Sequence, residues 1–96
     1  MSTTNTLTWT KNTEPDVAIY NIYRKVGSAP IKTPVDKFAS VPVTQTTFAD
    51  VVSTDGDFFY GVTAVDTSGN ESLLSNVKDK VVDATPPQTP VLQSVV

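Results

Sequence analysis

The sequence contains neither cysteine nor histidine. Without cysteine there is no disulfide framework and no thiolate to act as nucleophile or metal ligand. Without histidine the commonest proton shuttle near neutral pH is missing, and the serines and carboxylates show no catalytic spacing that would replace it. These two gaps argue against an enzyme. Charge is also scarce, at 18% of residues with a formal net charge of −3 and no run of either sign. A surface that binds nucleic acid or anionic lipid needs a basic stripe to neutralise phosphates, and none is present. No apolar stretch approaches the roughly 20 residues of a membrane-spanning helix. The opening Met1-Ser2-Thr3-Thr4-Asn5 has no apolar core of a signal peptide.

What the chain does have is threonine, valine and aromatic residues in short alternating runs, separated by turn residues about every ten positions. Such residues suit a pleated, half-buried surface, and that spacing is the mark of an all-β sandwich or barrel. A length of 96 residues suits one domain that can fold without metals or disulfides.

The first run is Leu7-Thr8-Trp9-Thr10, with Leu7 and Trp9 on one face. Residues 17–26 form a longer run with apolar side chains on both faces, which predicts a central strand. Pro30 and Pro34 lack the N–H that a ladder requires, so residues 27–34 read as a loop. Short strands are expected near 37–41 and 46–50. The strongest run places Phe58, Tyr60, Val62 and Ala64 on one face and Phe59, Gly61, Thr63 and Val65 on the other. It ends in the turn Asp66-Thr67-Ser68-Gly69-Asn70, from which residues 73–82 return as a hairpin partner. Residues 83–90 carry three prolines and read as an extended linker, and residues 91–96 as a fresh strand-like run.

Four blocks together resemble bacterial and phage fibronectin type III repeats over nearly the whole chain. They are Leu7-Thr8-Trp9-Thr10 with Glu14-Pro15-Asp16; Tyr20-Asn21-Ile22-Tyr23-Arg24; Phe48-Ala49-Asp50 with Gly56; and Val62-Thr63-Ala64-Val65-Asp66 with Gly69-Asn70-Glu71-Ser72 and Ser75. The resemblance implies an immunoglobulin-like sandwich of two antiparallel sheets, with strands A, B and E in one and C′, C, F and G in the other. It puts Trp9 on B, Tyr20 and Ile22 on C, Phe48 on E, and Tyr60, Val62 and Ala64 on F, as the core. Three departures stand out. Phe58 occupies the place of a tyrosine whose hydroxyl would bond to nearby backbone, and Ile19 stands where glycine is frequent. Strand A has no counterpart before Trp9, whereas residues 84–92 look like the linker and strand A of a following repeat. The expected organisation is therefore a sandwich of strands B to G over residues 1–82, then a proline-rich linker and A-like tail over residues 83–96.

Function is expected to be structural, with no cofactor and no metal. The resemblance implies a spacer or protein-docking module of an extracellular or virion assembly. Its partners would be other copies or adjacent domains, with Val91, Leu92 and Val95 as the residues of a strand donated head to tail, or else a tail without a fixed partner. The alternative is an accessory repeat from a secreted bacterial carbohydrate-active enzyme, with weak binding to carbohydrate or cell surface. On the outward face of the C and F strands, Tyr23, Phe59, Ile19 and Val65 form either a docking patch or a cross-strand group shielding the backbone at Gly61. Asp55 and Asp57, with Asp50, sit close enough in sequence to suggest calcium, as do Asp66, Asn70 and Glu71. Neither group has the spacing of a calcium loop, and turns favour these residues for conformational reasons.

Overall fold

A computed structural model describes residues 2–83 and 87–96. Among these residues six strands form: β1 (Thr3–Thr8), β2 (Val17–Val26), β3 (Lys37–Pro42), β4 (Thr47–Val52), β5 (Gly56–Asp66) and β6 (Lys78–Val82). They make two antiparallel sheets, one of β1 and β4 and the other in the order β3-β2-β5-β6. The chain is thus all-β, an immunoglobulin-like sandwich as the sequence predicts.

The alternation along each strand explains which sheet face is buried. Tyr20 and Ile22 of β2, Val41 of β3, Val52 of β4, Phe58 and Tyr60 of β5 and Val82 of β6 are buried together between the sheets. Leu7, Trp9, Phe48, Val62 and Ala64 pack against them from the sides. Burying a large apolar side chain of this kind stabilises the fold by roughly 1.5–3 kcal/mol before conformational entropy is subtracted. Trp9 meets Tyr20 edge to face with ring centroids 5.5 Å apart. The Tyr20 hydroxyl in turn accepts a 2.7 Å hydrogen bond from the Asn12 N–H, which pins the β1–β2 connection to the core.

Two elements differ from expectation. The first strand lies earlier, at Thr3–Thr8, because Thr3 to Thr6 pair with β4 despite having no large apolar residue. Trp9 follows the strand and keeps one ladder bond, from its N–H to the Thr46 carbonyl. The return strand is regular only from Lys78. Over residues 71–77 side chains replace half the ladder: the Ser72 and Ser75 hydroxyls accept from the N–H groups of Ala64 and Val62. Ser72 and Ser75 donate their own N–H groups back to the Ala64 and Val62 carbonyls. Leu74 is thereby laid over Gly61, where a Cβ would come within 2.8 Å of the leucine Cδ1.

Residues 87–96 have no regular secondary structure. Val91, Leu92 and Val95 are 79–85% exposed.

Candidate functional site

Three places could carry function: the polar cluster between the sheets, the outer face of β2 and β5, and the free edge of β1.

The cluster between the sheets uses residues of both. Asp50 of β4 points inward and is 4% exposed. Its Oδ2 accepts from the Tyr60 hydroxyl at 2.6 Å and from Arg24 Nη1 at 2.9 Å. Asn5 of β1, 2% exposed, donates from Nδ2 to the Tyr60 oxygen at 3.0 Å. The Arg24 guanidinium also lies over the Phe38 ring, 3.8 Å from its centroid. Burial, and then the hydrogen bond to Asp50, push the Tyr60 hydroxyl up to about 12, so it remains a donor at every physiological pH. The cluster ties the sheet of β1 and β4 to the sheet of β2 and β5. Asp50, one of the carboxylates that suggested calcium, is held here by Arg24 and Tyr60.

The outer face of β2 and β5 corrects the expected docking patch of Tyr23, Phe59, Ile19 and Val65. Tyr23 is 3% exposed rather than turned to solvent, and Ile19, Phe59 and Val65 are half-buried. The reason is the irregular segment after the β5 turn. It brings the Glu71 carboxylate over the sheet, where Oε2 accepts from Thr63 Oγ1 at 2.5 Å, from the Tyr23 hydroxyl and from Asn21 Nδ2 at 3.1 Å. Ser40 of β3 extends the network by donating to Asn21 Oδ1 at 2.6 Å. Burial pushes the Glu71 carboxyl up, but the bonds from Thr63, Tyr23 and Asn21 outweigh it and hold the group below its ordinary range. Burial and the neighbouring carboxylate raise the Tyr23 hydroxyl. Gly61 is shielded by Leu74, whose side chain supplies the three atoms nearest to a Cβ built there. Asp66 and Asn70 close the turn itself, since Asp66 Oδ1 accepts from the N–H groups of Ser68 and Asn70. Sequence reasoning missed Glu71 as the centre of a network; the Glu71-Ser72 pair within the quoted block was the available signal.

The free edge of β1 is the third place. Leu7, Asn5 and Thr3 stand opposite Phe48, Asp50 and Val52. The bond from the Trp9 N–H to the Thr46 carbonyl continues that series. Because hydrogen-bonded pairs alternate along an antiparallel ladder, the N–H and C=O groups of Thr4, Thr6 and Thr8 point away from β4. No strand pairs with that side among the described residues. Beside it runs a groove of about 740 Å³ between β1 and the β5–β6 hairpin, lined by Asn5, Leu7, Trp9, Val62 and Asn76 among others. Two buried polar atoms of that lining, Asn5 Oδ1 and Trp9 Nε1, have no hydrogen-bond partner among the described residues.

Comparison with known proteins adds one result. A stretch of 58 residues, 59% of the chain, is 48% identical to part of an amylopullulanase from Thermoanaerobacter thermohydrosulfuricus, and the match spans 4% of that protein's length. No family model and no solved structure matches the chain.

Proposed function

We propose that the chain is a fibronectin type III-like, non-catalytic repeat that spaces or docks neighbouring domains in an extracellular or virion assembly. The observation that carries this reading is where its polar chemistry is spent. Asp50, Arg24 and Tyr60 join the two sheets, and Glu71, Tyr23, Thr63 and Asn21 lock the return segment onto β5. Both networks hold a scaffold in shape. The strand order, with β1 and β4 apart from β3-β2-β5-β6, supports the family assignment.

A second reading has its own support. Similarity to a short part of a much longer amylopullulanase suits an accessory repeat carried by a carbohydrate-active enzyme. The two readings share a non-catalytic repeat and differ in the partner. Affinity electrophoresis of the chain through gels cast with and without pullulan or amylopectin separates them. Unchanged mobility is expected of a protein-docking spacer, and retardation would favour the accessory repeat. Release of reducing ends from either glucan, at a level that scales with purified protein, would overturn the non-catalytic reading altogether.

A further inference from the structure

We infer that the free edge of β1 is a strand-acceptor site whose occupant is residues 91–96 of a second copy of this chain, added antiparallel to β1. This deepens the docking reading above by naming the surface and the partner, and rests on it.

The acceptor is the edge least protected against strand addition. Natural sheets blunt their edges with lysine, proline, bulges or inward-pointing charge. Here β3 carries Lys37 and Pro42, β4 turns Asp50 inward, and β6 carries Lys78, Asp79 and Lys80. By contrast β1 reads Thr-Thr-Asn-Thr-Leu-Thr, uncharged, and its ladder with β4 is unbroken. Thr4, Thr6 and Thr8 therefore present a regular row of donors and acceptors in a sheet of only two strands, the smallest and least self-sufficient kind. The unpartnered Asn5 Oδ1 and Trp9 Nε1 mark the groove beside it as incomplete.

The donor is a strand-like run that has no place in either sheet among the described residues. Residues 91–96 carry no charged side chain and no proline, and leave Val91, Leu92 and Val95 exposed. Geometry then selects a second copy over the chain's own tail. Thr3 stands opposite Val52, and Gly56 opposite Val82, with residues 53–55 joining the two pairs. The start of β1 and the end of β6 therefore share a pole. A strand antiparallel to β1 must enter at the other pole, beside Thr8, about 20 Å away along six residues. Residues 83–90 reach at most about 26–29 Å when fully extended, so in the same chain the whole linker would run straight back along the sandwich. A copy stacked beyond the shared pole needs no reversal. Because such a contact is head to tail, it continues from copy to copy unless it closes in a ring.

The test is the mass of the full chain by sedimentation across about 10 µM to 1 mM, the range where small transient contacts form. Mass is expected to grow with concentration. Thr6→Pro removes an N–H that points away from β4, so it blocks the acceptor while sparing the β1–β4 ladder; Gln93→Pro blocks the donor. Each variant should retain the wild-type thermal transition and stay monomeric, and mixing the two should give a species of two chains and nothing larger. A wild-type chain that is folded and monomeric throughout, or growth that persists in both variants, would overturn the inference. So would a monomer whose residues 91–96 are protected from hydrogen exchange, since that places the tail in its own groove. None of these outcomes alters glucan mobility, which tests the broader reading independently.

Discussion

Asp50 and Tyr60 stand on opposite sheets with carboxylate and hydroxyl oxygens 2.6 Å apart, both side chains almost wholly buried. One hydrogen bond thus spans the sandwich. It belongs to a chain from Asn5 through Tyr60 and Asp50 to Arg24, and low local dielectric makes each link sensitive to loss of the others. Tyr60→Phe keeps the ring and removes the hydroxyl, leaving Asn5 and one lone pair of Asp50 short of a partner. A loss of about 1–3 kcal/mol is expected from urea unfolding, the cost of stranding buried polar groups. Asp50→Ala should cost more, about 3–5 kcal/mol, because it strips Arg24 of its partner within the sandwich. Equal midpoints for wild type and both variants would remove the cluster as the tie between sheets.

Glu71 sets the behaviour of the fold in acid. Its carboxyl sits below its ordinary value because the hydrogen bonds it accepts outweigh burial. A group depressed in the folded state contributes stability that is present above its unfolded pKa and lost as pH falls through its folded pKa. The melting temperature should therefore decline as pH is lowered from about 5, and Glu71→Gln should flatten that decline while lowering stability at pH 7. An unchanged acid limb in the variant would show that Glu71 is not the titrating group.

Much of this was legible in the sequence, and the limits have physical causes. Alternation identified the long strands β2 and β5 because Ala18, Tyr20 and Ile22 in the first, and Phe58, Tyr60, Val62 and Ala64 in the second, fall at every second position. It placed β1 too late, since Thr3 to Thr6 owe their strand state to the β4 ladder rather than to burial of large side chains. It took Tyr23 for a surface residue for a related reason. Alternation assigns Tyr23 to the outer face, and nothing in the pattern tells that an irregular segment fifty residues later will cover that face with Glu71 and Leu74. Ser72 and Ser75 belong to the blocks that resemble fibronectin type III repeats, but their role in standing in for ladder bonds emerges only from the geometry.

On β5 and β6, Asp57 and Asp79 put two carboxyls together. The shared hydrogen bond with Asp79, then burial and the repulsion between the pair, raise Asp57 above its ordinary value. The sign is opposite to that of Glu71. Folding favours the protonated form, so stability is lost as pH rises through the raised pKa. Asp57→Asn should raise the melting temperature at pH 7 and leave it nearly unchanged at pH 3. A variant that gains nothing at pH 7 would show that the pair is not strained in its ionised state.

Gly61 offers the sharpest test of the irregular return segment. A Cβ built there lies 2.8 Å from Leu74 Cδ1 and 2.9 Å from Cγ, closer than packed atoms tolerate, so Gly61→Ala must push Leu74 from its seat. Gains from better strand propensity work the other way, because glycine within a strand is weakening. Displacement of the leucine should win, with a net loss of about 1 kcal/mol, and Gly61→Val should lose about 1–3 kcal/mol by overpacking. Leu74→Ala removes the obstruction and some burial with it. In a Leu74→Ala background, then, Gly61→Ala should become neutral or stabilising, a coupling of about 0.5–3 kcal/mol of the sort that residues in contact show. Additive costs in the double variant would mean that Leu74 does not lie over Gly61, and that residues 71–77 follow another path across the sheet.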